Sequence, residues 1–533
     1  MSRMDYDYII VGAGAAGSVL ANRLSEDPGN EVLLLEYGGG DSNPMHYIPK
    51  GFFFTLKGDR YTYHYKTQPI GPSGQIEEWT RGKMLGGSTS VNGMMWSRGT
   101  RADFDGLVDR GNPGWGWDQV LAAYRSMEDH NLGASDSRGS GGPLGVSVVE
   151  NPDEVVTAML ASAQSHGWDR VEDMNAVETE RVGFTPSTIK DGRRTSAYSA
   201  FVRPIRHRRN LTIQTRTRAG YLLIEGKRVV GIRAQNGQQT HDYRARKEVI
   251  LSAGTVETPL LLERSGIGRG DILHGAGVDM VVESPNVGER VIEQRGVATQ
   301  VRLKRQIGPT QELNSVLKQG WEGFKYLLNH KGPISTGGYD LMTHFKSDPK
   351  LDQPDIQGLF VPMALDTTSA TMKLAKHSGI MFMGYQISPN TAGSVHLSGR
   401  LPENVPVIEA RFLEDQEDRR VTSTILDTAR TVFAQGPIAD YILDEEYPGS
   451  DVSTPEEVLR YSVDTGGGIY HAVGSAAMGP EDDDVVDSDL RVRGIEGLRI
   501  ADASVLPTQV SGNTAAPVMA VGWLAADRIL RDA

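Results

Sequence analysis

Cysteine is absent from this chain of 533 residues. Disulfide bonds, thiolate metal sites, iron–sulfur clusters and cysteine nucleophiles are therefore all excluded. A chain without disulfides is compatible with a reducing compartment, and we expect a cytoplasmic protein.

Long apolar runs are also missing from the sequence. No stretch approaches the about 18 apolar residues that a membrane-spanning helix needs. The apolar run near the N-terminus, at residues 8–11, is shorter than the roughly 7–15 apolar residues of a secretory signal. We therefore expect neither a transmembrane segment nor a signal peptide.

Positive charge is in deficit, since 55 Lys and Arg face 68 Asp and Glu and leave a formal net charge of −13. An acidic chain without a long basic run is a poor binder of nucleic acids and anionic membranes. We therefore expect a small-molecule substrate and no nucleic-acid partner.

The sequence leaves open whether the protein is a monomer or a homodimer, and whether it associates peripherally with a membrane. The acidic run at 482–484 is interpreted as a solvated loop, and no metal site is predicted.

Glycine, in contrast, is abundant. It accounts for 62 of the 533 residues, or about 12%, where the usual share is about 7%. The glycines cluster in short loops, which is typical of backbone that closely approaches a ligand. The first cluster has Gly12, Gly14 and Gly17 in a G-x-G-x-x-G spacing with Ala15 and Ala16 between them. It follows a short strand pattern and opens a helical one, as in dinucleotide-binding folds.

An acidic residue completes this dinucleotide motif. Glu36 ends the second strand pattern, 19 residues after Gly17, where an acid accepts hydrogen bonds from the adenosine ribose hydroxyls. A carboxylate at that point repels a 2′-phosphate, so NADP is disfavoured. The motif alone does not separate NAD from FAD.

Five further segments carry a resemblance to a known family. They are a second glycine-rich loop at 82–99, a strand-and-helix segment at 249–268, a segment with Tyr470 and His471 at 470–479, and the C-terminal stretches 498–507 and 511–517. In order and spacing these segments resemble the glucose–methanol–choline (GMC) oxidoreductases from about residue 5 to about residue 530.

The resemblance implies an α/β FAD-binding Rossmann-type domain of the glutathione-reductase-like kind and an α+β substrate domain built on an antiparallel sheet. Both domains would be discontinuous: the FAD-binding domain would comprise 1–154, 211–299 and 463–533, and the substrate domain 155–210 and 300–462. Within the latter, 415–434 has the apolar spacing of a helix, while 394–397 and 407–412 alternate as strands of an antiparallel sheet.

The resemblance also implies FAD as the cofactor, and it assigns residues to it. Gly12, Gly14 and Gly17, with Ala15 and Ala16, and Glu36 would hold the ADP half; the backbone near Ala219 would contact adenine. The remaining predicted cofactor contacts are Arg81, Gly82, Gly87, Asn92, Gly93, Met94, Ala253, Asp502, Ala503, Asn513 and Thr514. Val91 stands where some members carry a histidine that is bound covalently to the flavin, so we expect non-covalent FAD.

Members of this family oxidise an alcohol by hydride transfer to flavin N5, with oxygen, a quinone or another acceptor re-oxidising the flavin. Such chemistry needs a base for the hydroxyl proton, and His471 matches the family's active-site histidine. Asn513 matches its partner position, where an amide orients the alcohol and stabilises alkoxide character. Glu293 and Gln294 stand where the family often has Asp-His, a departure that leaves the base in place.

The predicted substrate is a primary alcohol, aromatic or aliphatic, since nothing marks a cation cage or a sugar site. Candidate pocket residues are Tyr470, Tyr339, Phe360 and Met383. A hydroxynitrile lyase with non-redox FAD is the main alternative, because the same fold hosts such enzymes. A photodecarboxylase is disfavoured by the missing cysteine, and a non-catalytic flavoprotein by the intact His471 and Asn513 pair.

Overall fold

The computed structural model describes residues 5–150, 152–366 and 373–532. Its helices, in chain order, are α1 Ala15–Leu24, α2 Phe52–Thr55, α3 Arg101–Asp109, α4 Trp117–Met127, α5 Glu154–Ser165, α6 Gly254–Arg264, α7 Gly270–Gly275, α8 Pro309–Leu313, α9 Val316–Asn329, α10 Gln416–Phe433, α11 Gly436–Ala439, α12 Pro455–Thr465 and α13 Ala515–Arg531. Two seven-stranded sheets organise these helices into two layered halves.

The first sheet carries the predicted nucleotide fold. Its path runs through Leu211–Gln214, Val32–Leu35, Asp5–Val11, Gln239–Leu251, Arg228–Asn236 and Thr217–Glu225, with Leu498–Ile500 also paired to Gln239–Leu251. Parallel pairing joins Leu211–Gln214, Val32–Leu35, Asp5–Val11, Gln239–Leu251 and Leu498–Ile500. The strands Arg228–Asn236 and Thr217–Glu225 are added to Gln239–Leu251 by antiparallel pairing. Near-continuous burial of the parallel strands follows from helix α1, which packs on the sheet, and from α13, which packs on α1 in the same core.

The second sheet is the antiparallel one that the sequence predicts. Its order is Ile442–Tyr447, Gly296–Leu303, Gly379–Gln386, Ile356–Val361, Leu341–Phe345, Arg181–Phe184 and Asp169–Arg170. Only the pair at the Asp169–Arg170 edge is parallel. One face packs on α5 and α10 in a core that includes Phe360, Phe382 and Phe433. The predicted fold class is confirmed.

Both sheets draw on separate stretches of the chain. The first uses strands from 5–35, 211–251 and 498–500, and the second uses strands from 169–184, 296–386 and 442–447. The domain boundaries themselves stay a prediction.

Smaller two-stranded sheets are Thr62–Lys66 with Glu78–Gly82, Glu128–His130 with Leu144–Val146, Ile189–Lys190 with Arg193–Arg194, Ile267–Gly268 with Val282–Glu283, and Ser394–His396 with Val407–Glu409.

The helix expected at 415–434 is confirmed as α10. Asp415 caps it by accepting hydrogen bonds from the backbone N–H groups of Glu417 and Asp418. The apolar positions that set the spacing are all buried: Val421, Ile425, Leu426, Ala429 and Val432. The helical spacing of the apolar residues therefore predicts which face of α10 packs on the second sheet.

The strands expected at 394–397 and 407–412 are confirmed, since Ser394–His396 and Val407–Glu409 pair antiparallel with each other. They form a separate two-stranded sheet, in which Val395 and Ile408 pack on Val256 and Leu260 of α6. One sequence expectation needs correction. The acidic run at 482–484 is only partly solvated, since Asp484 is buried and accepts a hydrogen bond from Arg290. Among the described residues, no helix is long and apolar enough to cross a membrane.

Candidate active site

The first glycine loop is built by backbone that approaches other backbone very closely. Gly12 has φ +104°, and a Cβ there would overlap the Ser252 carbonyl oxygen, as one at Gly17 would overlap the carbonyl oxygen of Gly12. Gly14 starts α1 without a side-chain cap among the described residues, and a Cβ on it would meet nothing nearer than 3.9 Å. The helix N-terminus therefore presents N–H groups beside free space, which is the arrangement that binds phosphates.

Glu36 supports the same loop from the adjacent strand end. Its carboxylate accepts hydrogen bonds from the Ala13 N–H at 3.1 Å and the Gly38 N–H at 2.7 Å. Burial raises its pKa to about 7, although those two N–H groups act in the opposite direction. The carboxylate is thus fixed at the edge of the glycine loop, where an acid can meet ribose hydroxyls.

The second glycine loop contacts the first one directly. Its residues Gly87–Ser90 form a short 3-10 helix, and the Gly86 N–H donates to the Ala13 carbonyl at 2.8 Å. A Cβ on Gly87 would lie 2.9 Å from the Gly14 Cα. Two backbone-rich loops therefore pack against each other and form one glycine-lined cradle.

Arg194 holds the end of that second loop, and sequence reasoning missed it. It is buried and donates to the Asn92 side-chain oxygen at 2.8 Å, the Asn92 carbonyl at 2.7 Å and the Thr89 carbonyl at 3.2 Å. Burial lowers its pKa to about 9. Only the tertiary contacts give Arg194 its positioning role at Asn92.

His471 and Asn513 lie together, as the sequence expectation requires. The Asn513 amide nitrogen Nδ2 is 3.0 Å from His471 Nε2, and the ring is buried. On the other side of the ring, His471 Nδ1 is 2.7 Å from Gln294 Oε1. Both ring nitrogens therefore have a defined partner.

The amide partners determine which imidazole nitrogen carries the proton. Gln294 Nε2 donates to the Ile387 carbonyl at 2.6 Å, so Gln294 Oε1 faces the ring as an acceptor. Gln357 Nε2 donates to Asn513 Oδ1 at 3.2 Å, so Asn513 Nδ2 faces the ring as a donor. His471 is thus the neutral Nδ1–H tautomer, with the lone pair of Nε2 directed toward Asn513.

Burial keeps His471 in this neutral form. Burial, with a smaller effect from the charge of Arg81, lowers its pKa to about 3. The backbone of the same segment is held by Glu293, whose carboxylate accepts from the His471 N–H at 2.8 Å and the Ala472 N–H at 3.0 Å. Burial also raises the pKa of Glu293, opposed by Arg81 and by these N–H groups.

Two non-glycine residues at the site have left-handed backbones. Met94 in the second glycine loop has φ 69°, and Tyr470 next to His471 has φ 67°. Such conformations are unfavourable for side chains with a Cβ, and they concentrate where function demands a particular backbone course. Both residues were predicted site residues.

The other predicted cofactor residues lie on several separate elements, and their contact with FAD stays a prediction. Arg81 and Gly82 end the strand Glu78–Gly82, Gly93 abuts Tyr339, Ala219 lies in the first sheet, and Thr514 directly precedes α13. Asp502 is buried and already accepts hydrogen bonds from the Gly254 N–H, Thr258 and Ser504. Ala253 and Ala503 flank these contacts, so this corner presents backbone rather than a free carboxylate.

The pocket candidates divide between the two faces of the second sheet. Tyr339 and Met383 border an apolar cluster with Met95, Leu359 and Tyr385, and the Tyr385 ring is 6.0 Å from that of His471. The buried Tyr385 hydroxyl has no hydrogen-bond partner among the described residues. Tyr470 is 56% exposed, with its ring 5.9 Å from the Arg81 guanidinium.

The pocket assignment of Phe360 is wrong. Within Ile356–Val361, neighbouring side chains point to opposite faces of the sheet. Gln357 and Leu359 face the His471 side, so Phe360 faces the other way and packs on Phe382 and Phe433. Sequence alone does not say which face of this fully buried strand meets the site.

The residues present fit FAD. Two glycine loops in which Gly12, Gly17 and Gly87 leave no room for a Cβ, an uncapped helix N-terminus and the fixed Glu36 carboxylate suit an adenine dinucleotide. The second loop leads from that cradle through Asn92 and Gly93 to Tyr339, beside the apolar cluster next to His471. A flavin ring placed there would lie between the cradle and the polar pair.

Comparison with known protein families matches this arrangement. The GMC oxidoreductase model matches residues 6–294 with its N-terminal part and 389–522 with its C-terminal part. The mitochondrial choline dehydrogenase of Homo sapiens is 33% identical over 99% of this chain and 90% of its own length. The oxygen-dependent choline dehydrogenase of Sinorhizobium medicae is 34% identical over 99% of this chain and 96% of its own length.

Solved structures agree with the sequence relatives. Pyridoxine 4-oxidase from Mesorbium loti superposes with a TM-score of 0.88 at 29% identity, covering 98% of both chains. A formate oxidase superposes with a TM-score of 0.92 at 27% identity, covering 100% of this chain and 99% of its own.

Proposed function

The chain belongs to the GMC oxidoreductase family, and from that membership we propose that it oxidises a primary alcohol to the aldehyde with FAD as its cofactor. The observation that carries the proposal is the hydrogen-bonded pair of buried His471 and half-buried Asn513, together with a cradle that fits FAD. Bound FAD supplies the acceptor for the hydride that leaves the alcohol carbon.

His471 removes the hydroxyl proton of the alcohol. Its Nε2 lone pair is free of a proton because Nδ1–H donates to Gln294 Oε1. The pKa of about 3 keeps that lone pair available at neutral pH. Gln294 acts as a positioning residue, since its Oε1 fixes the tautomer of His471 and its Nε2 is held by the Ile387 carbonyl.

Asn513 orients the alcohol oxygen. Its Nδ2 donor is 3.0 Å from His471 Nε2, so an alcohol oxygen beside the pair, within hydrogen-bond reach of both nitrogens, meets a donor and a base at once. As the proton leaves, negative charge grows on that oxygen and the amide N–H stabilises it. Gln357 keeps the amide in this orientation through Asn513 Oδ1.

The electrostatics favour a neutral alcohol over choline, although two relatives are choline dehydrogenases. The Arg81 guanidinium lies 5.3 Å from the Trp79 ring and 5.9 Å from the Tyr470 ring, so these aromatic rings already meet a cation. The nearby Glu293 carboxylate is committed to the backbone of 471–472. Aromatic and aliphatic alcohols match the apolar cluster of Tyr339, Met383 and Tyr385.

An alcohol panel tests the proposed activity. Benzyl alcohol, a medium-chain aliphatic alcohol and choline would each be mixed anaerobically with the holoenzyme while the flavin absorbance is followed. We expect the two neutral alcohols to bleach the flavin and choline to bleach it far less. A flavin that stays oxidised with every alcohol while a cyanohydrin is cleaved would establish the lyase alternative. Parallel oxygen and dye assays identify the class of electron acceptor.

The mode of FAD attachment is a separate prediction. Val91 cannot form the histidyl bond to flavin that some relatives of this family carry. We expect acid precipitation of the holoenzyme to release yellow FAD into the supernatant, one per chain. Flavin that remains on the washed precipitate, or NAD in its place, would contradict this expectation.

The electron acceptor, oligomeric state and compartment stay predictions: oxygen or a quinone-type acceptor, a monomer or homodimer, and the cytoplasm. The human relative carries a mitochondrial designation. The dye and oxygen assays above address the acceptor, and light scattering on the holoenzyme addresses the assembly.

A further inference from the structure

Helix α9 exposes an unusual apolar surface. Six large apolar side chains on this 14-residue helix are exposed, from 53% for Phe324 to 88% for Leu317. The six are Val316, Leu317, Trp321, Phe324, Leu327 and Leu328. Large apolar side chains scattered singly are ordinary on a protein surface, but a contiguous group marks an interaction site.

The helix does not need these six side chains to stay in place. Ser315 caps its start by accepting from the Lys318 N–H, and His330 ends it in a left-handed conformation. The inward side is fixed by buried Tyr326, whose hydroxyl donates to the Gly192 carbonyl at 2.9 Å, and by buried Glu322. The apolar face is therefore directed outward on a well-anchored helix.

We propose that the exposed face of α9 docks on the surface of a phospholipid bilayer and sinks into the boundary between headgroups and acyl chains. Tryptophan, phenylalanine and leucine on one face with lysine beside them is the pattern of interfacial helices. The proposal is independent of the reaction assigned to His471.

The width of the apolar face favours lipid over another helix. At 3.6 residues per turn, Val316 and Trp321 bound an arc of roughly 140°. The adjacent pairs Val316–Leu317 and Leu327–Leu328 both lie within it. A helix-to-helix seam uses a narrower stripe of positions. A fluid lipid surface can cover such a broad arc. Within the arc, the Trp321 and Phe324 rings stack with their centroids 5.9 Å apart.

Charge on the same helix favours phosphates over a second copy of the chain. Lys318 and Lys325 follow directly on the helical wheel after the apolar arc, and both are exposed. Glu322, the helix's only acid, is buried and paired with Lys325 at 2.7 Å. Two copies packed through this face would bring like charges together, whereas lysines at a bilayer reach the headgroup phosphates. The chain's overall charge of −13 opposes anionic lipid only at long range, where salt screens it.

The base of this surface connects inward to the proposed substrate site. Leu313, at the end of the preceding α8, packs in a cluster with Phe53, Ile334, Tyr339 and Met381. Tyr339 also borders the apolar cluster next to His471. A lipophilic alcohol dissolved in the bilayer would therefore meet apolar side chains along this part of the protein.

Vesicle flotation of the holoenzyme tests the proposal. The probe is phosphatidylcholine vesicles with some phosphatidylglycerol, in buffer with enough salt to screen long-range repulsion. We expect the wild type to float with the vesicles. The variant Leu317→Glu/Trp321→Glu/Leu328→Glu should float at least about tenfold less, because three apolar anchors are lost.

The matched control adds the same three charges elsewhere. Leu401, Val405 and Leu443 are also more than half exposed, and Leu401→Glu/Val405→Glu/Leu443→Glu should float like the wild type. The FAD content of all three proteins verifies that they are folded. The proposal is overturned by a wild type that stays with the unbound protein, or by equal loss in both variants. It is also overturned by a wild-type dimer that the α9 variant converts to a monomer.

Discussion

His471→Ala should lower the rate constant of anaerobic flavin reduction by on the order of 10²–10⁴, the usual contribution of a positioned acid–base group. The variant loses the Nε2 lone pair that faces Asn513, and no other described side chain hydrogen-bonds there. FAD content should change little, because the glycine loops and Glu36 lie elsewhere. Stopped-flow reduction by a saturating neutral alcohol gives the rate constant.

The control for this variant is a histidine with no role at the site. His207 is exposed, so His207→Ala should reduce its flavin at the wild-type rate. If His471→Ala also retained the wild-type rate constant with full FAD content, the assignment of the base to His471 would be wrong.

The pH dependence of the wild type follows from the lowered pKa of His471. Protonation of Nε2 removes the base, so the rate should fall as pH falls toward about 3 and stay level around neutrality. The same shift has a consequence for stability: below the ordinary histidine pKa the unfolded chain takes up a proton that the folded chain does not. His471 therefore destabilises the fold as pH falls from about 6.5, and His471→Ala should remove that loss.

Asn513→Ala should cost about 2–4 kcal/mol of transition-state stabilisation, the typical effect of losing one oxyanion donor. The alcohol oxygen would lose the Nδ2 donor, and Gln357 would lose its acceptor, Asn513 Oδ1. His471 would keep its tautomer, since Gln294 fixes it from the other side. The acid limb of the pH profile should therefore survive, with a pKa displaced by the loss of its neighbour.

Two replacements at the same position separate donation from size. Asn513→Asp keeps the shape but replaces the donor by a carboxylate oxygen, so its rate of flavin reduction should fall at least as far as that of Asn513→Ala. Asn513→His restores a ring N–H and creates a two-histidine pair, which relatives in this family use, and should keep measurable activity. Loss of the pH dependence in Asn513→Ala, together with its retention in His471→Ala, would reverse the two roles.

Local sequence patterns identify the nucleotide fold, and the family resemblance identifies the pair of His471 and Asn513. Strand, glycine loop, helix and acid follow one another within 36 residues. Such a pattern can be recognised in the sequence because its residues are close together along the chain. His471 and Asn513 lie in short motifs of their own, and the structure brings Nε2 and Nδ2 to 3.0 Å. The helical period at 415–434 likewise located α10.

The tertiary structure alone decided how that pair is oriented. Gln294 and His471 are 177 residues apart in the sequence, and Arg194 and Asn92 are 102 apart. No local sequence pattern therefore predicts either contact. Phe360 was misassigned because the burial of Ile356–Val361 is continuous, and only the packed sheet shows that Gln357 and Leu359 face the site. Hydrogen bonds are directional, so the tautomer of His471 depends on which amide atoms the fold places beside its ring.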